Sequence, residues 1–93
     1  MQISLEMSLS REDFLRLLPS AVGQLVVAEQ DGVFRGGDGP RRWEIRLQGL
    51  EDRRLGSVVL RCHRVDIRLE GHSEDEVAAF MARFHRGFQR GGG

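Results

Sequence analysis

Residues 2–9 alternate between polar and apolar side chains. Ile3, Leu5, Met7 and Leu9 are apolar, and a polar residue precedes each of them. Side chains two residues apart lie on the same face of an extended chain, so this alternation predicts a β-strand with one buried face.

The spacing of apolar residues lengthens to three and four after Ser10, which predicts a helix with Ser10 as its N-cap. The apolar residues of this segment share one helical face; they are Phe14, Leu17, Leu18, Ala21 and Val22. Pro19 lies inside the pattern, and we expect it to end the helix at Leu18 or to kink it. Gly23 then closes the segment.

Three further segments predict strands, namely Leu25–Gln30, Arg42–Gln48 and Ser57–Glu70. Between the first two, eleven residues containing Asp31-Gly32 and several further glycines predict a long hairpin connection, or alternatively a strand that continues through Phe34. Arg42–Gln48 alternates cleanly, with its apolar residues at odd positions.

The longest of these segments, Ser57–Glu70, changes phase. Its apolar residues stand first at even positions, including Val58 and Leu60, and then at odd positions, including Val65 and Ile67. A strand cannot exchange its faces without an extra residue, so the pattern predicts a β-bulge near His63-Arg64 or a break into two shorter strands.

The last helix is the clearest element in the sequence. Ser73 and Glu76 have the spacing of a capping box. An apolar stripe follows at steps of three and four, formed by Val77, Phe80, Met81, Phe84 and Phe88. Such a stripe must be covered, and we expect it to lie on the predicted sheet.

These segments give the order β-α-β-β-β-α and predict an α+β fold. We expect a two-layer sandwich, in which a four-stranded mixed or antiparallel sheet carries both helices on one face. The first two strands are joined through a helix and can lie parallel. Residues 1–90 would form a single domain, followed by a flexible glycine tail at 91–93. The outer sheet face would carry Arg42, Glu44, Arg46, Gln48, Arg64, Asp66, Arg68 and Glu70.

The charge content argues against a strong polyanion binder, because 14 basic and 14 acidic residues leave a net charge of zero. All basic residues are arginines, which we attribute mainly to the codon bias of a GC-rich genome. A single cysteine excludes an internal disulfide. No apolar run is long enough for a membrane span, and residues 1–10 do not resemble a signal peptide, so we expect a cytoplasmic protein.

The sequence contains no convincing catalytic or metal-binding set. Cys62 and His63 are adjacent, but neighbours in a strand point to opposite faces, so they do not form a dyad. The three histidines lack the spacing that places two ligands on one helical face. We therefore expect no enzyme activity, no metal and no cofactor.

Our leading hypothesis is a small non-enzymatic accessory protein that binds another protein, or a second copy of itself, through a sheet edge or the outer sheet face. The alternative is an RNA- or ribosome-associated protein that uses the arginines of that face; the predicted element order is similar, in topology alone, to that of ribosome-hibernation factors. A third hypothesis is anion or nucleotide binding by the glycine-rich segment Arg35–Arg42. The candidate binding residues are Arg35, Arg41, Arg42, Glu44, Arg46, Arg64 and Arg68.

Overall fold

The computed structural model describes residues 1–24 and 28–89. Its strands are β1 (Gln2–Met7), β2 (Ala28–Gln30), β3 (Val33–Asp38), β4 (Arg41–Gly49), β5 (Arg53–Leu55), β6 (Val58–Leu60) and β7 (His63–Glu70). Its helices are α1 (Arg11–Val22) and α2 (Glu74–Gln89). Part of the predicted second strand, residues 25–27, and the predicted glycine tail lie outside the described residues.

The fold is α+β, with two helices and an antiparallel sheet. Five strands form this sheet in the order β1-β7-β4-β3-β2, and every described pair is antiparallel. The sheet thus has five strands where four were predicted. The predicted parallel pairing of the first two strands is wrong, because β1 and β2 lie at opposite edges. β1 pairs with β7 instead, whose side chains alternate in the same way.

The long hairpin connection predicted between Gln30 and Arg42 is also wrong, because most of it is strand. Asp31 and Gly32 form a two-residue turn with positive φ angles of 53° and 76°, the combination that a type I′ hairpin requires. β3 then continues beyond Phe34 to Asp38, as the alternative prediction of a continuing strand allowed.

Glycine inside β3 is explained by packing. A Cβ atom at Gly36 would lie 2.5 Å from the indole of Trp43 and would also collide with the amide of Gln24. Gln24 is held in place there, because it accepts a 2.7 Å hydrogen bond from Trp43 Nε1. Any other residue at position 36 would place its Cβ atom where the Trp43 and Gln24 side chains lie, so the packing requires glycine.

Helix α1 begins at its predicted cap and passes through Pro19. The Ser10 hydroxyl accepts a hydrogen bond from the backbone N–H of Asp13 at 3.1 Å. The prediction that the helix ends at Leu18 is wrong, because it continues to Val22 and ends at Gly23, whose φ is 72°. The N–H of Gly23 bonds to the Pro19 carbonyl, so proline removes one donor but still serves the helix end as an acceptor.

Helix α2 begins with the predicted capping box. The backbone N–H of Glu76 donates to Ser73 Oγ at 3.2 Å, and the backbone N–H of Ser73 donates to Glu76 Oε1 at 2.9 Å. Close to its other end, α2 packs against α1 through Gly87, which lies directly over Ala21. Each end of α2 is thus fixed by a specific contact.

One core cluster joins the helices to one face of the sheet. Its buried members are Phe14, Leu18, Ala21, Phe34, Trp43, Ile45, Val65, Ile67, Leu69, Phe84 and Phe88. The strand members alternate with charged residues, as the pattern of the sequence predicted. The apolar residues of β1 pack against the same cluster but remain half-buried.

The phase change after Ser57 results from a break and not from a bulge within a continuous strand. β6 ends at Leu60 and β7 begins at His63, so the alternative of two shorter strands is confirmed. β5 and β6 pair only with each other among the described strands, as a separate hairpin between β4 and β7. Val58, which was predicted to face inward, is 54% exposed because it belongs to this hairpin.

Candidate binding surface

The outer face of the sheet carries charges of alternating sign. Between β4 and β7, Arg42 lies opposite Glu70, Glu44 opposite Arg68, and Arg46 opposite Asp66. β3 adds Arg35 opposite Glu44, and β1 adds Glu6 opposite Arg64. The face therefore holds five arginines and four carboxylates, in rows where opposite charges are neighbours.

One of these opposite pairs forms a salt bridge, and two further salt bridges of the face join residues two positions apart within β7. Arg35 Nη2 lies 3.0 Å from Glu44 Oε1, and Arg68 Nη2 lies 2.9 Å from Glu70 Oε1. These pairs are solvent-exposed, so each contributes little to stability. Their effect is local, because they neutralise two of the arginines that were candidates for anion binding.

Asp66 is the carboxylate most firmly held on this face. It accepts hydrogen bonds from Ser4 Oγ at 2.5 Å and from Arg64 Nε at 3.1 Å. The Ser4 hydroxyl, followed by Arg64 and then the charge of Arg46, lowers the pKa of Asp66 below its usual value. Asp66 consequently stays ionised and places a negative charge near the middle of the outer face.

A groove of about 500 Å³ crosses the outer face along β3, β4 and β7. Five of the seven predicted binding residues line it, namely Arg35, Arg41, Arg42, Glu44 and Arg68, and Glu70 adds a further carboxylate. Gly37, which also lines the groove, lies opposite Arg42 and contributes no side chain to it.

Arg42 and Arg46 differ from the other arginines of the face. Within residues 1–24 and 28–89, neither forms a salt bridge, whereas Arg35, Arg64 and Arg68 each do. Both side chains are attached to β4, the third of the five strands. They are the two cations of the face that are most available to a partner.

Arg41 also lines the groove, but its side chain is not part of the outer-face rows. It precedes Arg42 in β4, so its side chain points to the opposite side of the sheet. There it forms a salt bridge with Glu76 at the start of α2 and a longer one, at 3.5 Å, with Asp38. Arg41 thus ties the β3–β4 hairpin to α2.

The β5–β6 hairpin is a second surface that the sequence did not reveal. Leu55, Val58 and Val59 are each more than half exposed, at 58%, 54% and 53%. Arg53 at the start of β5 lies 3.8 Å from Glu6, a residue of the outer face, so the hairpin borders that face. The available signal was the aliphatic run at residues 58–60, which was interpreted as part of the alternation of the long predicted strand Ser57–Glu70.

The side chains of Cys62 and His63 each contact the carbonyl oxygen of a different residue. Cys62 is buried, and its Sγ lies 3.7 Å from the Leu60 carbonyl oxygen. His63 Nδ1 lies 2.8 Å from the Leu9 carbonyl oxygen. Among the residues that the structure describes, no three histidine, cysteine or carboxylate side chains are grouped to hold a metal ion.

Comparison with known proteins adds no further information about the site. No family model matches the sequence, and neither a curated protein nor a solved structure matches the chain. In the described part of the chain, neither helix has the length and apolar character needed to cross a membrane.

Proposed function

We propose that this chain is a non-enzymatic accessory protein that binds a protein partner through the outer face of its sheet. The two-layer arrangement, with both helices on the core face, leaves the other face open to a partner. The observation that carries the proposal is the near balance of charge on that face, five arginines against four carboxylates arranged as opposite neighbours.

The alternation of charge favours a protein over a polyanion. A nucleic acid presents only negative charge, so it would meet four carboxylates within the same surface. A protein surface can present both signs and match the rows in one register, which contributes to specificity. Arg42 and Arg46 would then receive the carboxylates of the partner.

The β5–β6 hairpin supplies the apolar part that a charged face alone lacks. Protein interfaces usually combine a dry apolar centre with a polar rim. Among the large hydrophobic residues that the structure describes, Leu55, Val58 and Val59 are the most exposed after Met1. The hairpin borders the outer face through Arg53 and Glu6. We therefore place the partner against both the hairpin and the face.

The RNA-binding alternative depends on Arg42 and Arg46, the arginines of the face without salt bridges in the described residues. The anion-binding hypothesis is less well supported, because Arg35 already pairs with Glu44 and the glycine-rich segment is strand. An anion in the groove would also approach Glu70.

The test is affinity capture from a native cytoplasmic extract, in parallel with and without RNase. The test variants are Arg42→Glu with Arg46→Glu, and Val58→Ser with Val59→Ser. The matched control is Arg86→Glu, an exposed arginine on α2. We expect a protein partner that survives RNase, is lost in both test variants, and is retained by the control.

Two outcomes would contradict the proposal. Capture that disappears with RNase and weakens steeply with salt would assign the arginines to RNA. A partner retained by both double variants would bind elsewhere on the chain.

A further inference from the structure

The free edge of β1 is a separate feature that the proposed function does not use. β1 lies at one end of the sheet, and no described strand pairs with its second edge. Edge strands are usually protected by lysine, proline or a bulge. The sequence of β1, QISLEM, contains no lysine or proline, and its register with β7 is unbroken.

The direction of the backbone groups along this edge follows from the ladder with β7. The N–H and C=O groups of Met1 both bond to Leu69, at 3.0 and 2.9 Å. Because an antiparallel ladder alternates, the even-numbered residues Gln2, Ser4 and Glu6 turn their backbone groups toward the free edge. Three donors and three acceptors thus lie in a row without a strand to bond.

The apolar side of β1 is incompletely covered as well. Ile3, Leu5 and Met7 are only half-buried, whereas Val65 and Ile67 of the adjacent strand are fully buried. A further strand beside β1 would cover part of this remaining apolar surface.

We propose that two copies of this chain pair through β1 about a two-fold axis at Ser4, joining their sheets into one. In this register Ser4 lies opposite the partner's Ser4, and Gln2 lies opposite the partner's Glu6. All outward backbone groups of these residues then find a partner, which gives six hydrogen bonds.

The side chains of β1 agree with the same register. On the outer face Gln2 meets a carboxylate that it can donate to, and no two like charges are opposite. On the core face Ile3 lies opposite the partner's Leu5. If the axis instead passed through Leu5, Ser4 of each copy would pair with Glu6 of the other. The two β1 strands would then form only four hydrogen bonds with each other.

A cysteine substitution tests this register directly. Opposite residues of a hydrogen-bonded pair have Cα atoms about 5.5 Å apart, within the range of a disulfide. We expect Ser4→Cys to form a covalent dimer under mild oxidation. Gln2→Cys is the matched control, because the two cysteines would be roughly 13 Å or more apart. Equal cross-linking of the two variants, or none with Ser4→Cys, would overturn the proposal.

Sedimentation equilibrium of the unmodified chain provides the second measurement. We expect a concentration-dependent dimer, which Ser4→Pro weakens at least about tenfold by removing the central hydrogen bonds on both copies. The proline is compatible with the fold, because the Ser4 N–H points away from β7. Ser4→Ala keeps the backbone N–H and should retain the dimer. A monomer at all concentrations would refute the inference.

The dimer and the proposed function can fail independently. The substitutions Arg42→Glu and Arg46→Glu lie on β4 and should leave the dimer unchanged. Ser4→Pro and Ser4→Ala both remove the hydrogen bond from Ser4 to Asp66 but keep the charges of β4 and β7. Loss of the protein partner in Ser4→Pro but not in Ser4→Ala would therefore report the dimer and not the outer face.

Discussion

Replacing Gly87 by alanine tests how closely the two helices pack. Gly87 lies within α2, where glycine costs about 1 kcal/mol relative to alanine. From helix propensity alone, Gly87→Ala should therefore stabilise the protein. A Cβ atom at this position, however, would lie 2.5 Å from Ala21 Cα and 2.6 Å from Ala21 Cβ. Backbone atoms cannot move aside as the end of a side chain can, so the helices must separate.

We expect this separation to outweigh the gain in propensity. Overpacking of a well-packed core costs about 1–3 kcal/mol, and the separation also loosens Phe88 and Phe14, whose stacked rings are 5.2 Å apart. Less the gain of about 1 kcal/mol in propensity, the net loss should be up to about 2 kcal/mol, which lowers the Tm of a domain of this size by up to about 8–16 °C.

Thermal unfolding followed by circular dichroism measures this difference, with Ala82→Gly as the matched control. Ala82 is exposed on the same helix, so its replacement reports propensity without packing. The control should lose about 0.5–1 kcal/mol. If Gly87→Ala instead raises the Tm by a similar amount, the helices are not in close contact and the reasoning is refuted.

Three further predictions concern the start of α2 and the hairpin. Ser73→Ala removes one side of the capping box and should cost about 1 kcal/mol in a urea titration, whereas Ser20→Ala, on an exposed position of α1, should cost little. The pKa of Glu76 is lowered to about 2, first by the Ser73 backbone N–H and then by Arg41. The ionised Glu76 side chain therefore stabilises the folded state fully above its usual pKa of 4.5, and this stabilisation is lost as the pH falls toward 2. Glu76→Gln should therefore have a lower Tm than the unmodified chain at pH 7 and an equal Tm near pH 2; a constant difference would contradict this assignment. Replacing residues 51–61 by a short glycine-serine turn should preserve the far-ultraviolet spectrum and cooperative unfolding, since β4 and β7 pair without the hairpin; loss of cooperativity would show that the hairpin supports the sheet.

Local features of the fold were predictable because short-range chemistry decides them. The caps at Ser10 and Ser73, the left-handed end of α1 at Gly23 and the alternation of β4 all depend on residues within a few positions. The strand order was not predictable in this way. Pairing of β1 with β7 is decided by packing between distant segments, and a period of two does not name a partner.

The site was predictable to the extent that it follows from alternation. The even-numbered residues of β4 and β7 share the outer face, and residues of opposite charge lie across from each other in the register of the two strands. Arg41 lay outside the predicted strand, whereas in the structure it is the first residue of β4 and forms a salt bridge with Glu76 of α2. The hairpin was not predicted because Val58 and Leu60, two residues apart, resemble one face of a strand. Only the tertiary structure shows that β6 pairs with β5, outside the five-stranded sheet.

The central position of β7 has a consequence for the synthesis of the chain. Gln2 pairs with Arg68, so β1 lacks its pairing partner until some 66 further residues have been made. β2, β3 and β4 can form an antiparallel meander in the meantime, because short turns join them. β7 must then enter between β4 and β1, which makes folding depend on long-range contacts and favours a slow final step. Until that step β1 is an exposed apolar strand, and the nascent chain is most prone to aggregation in this interval.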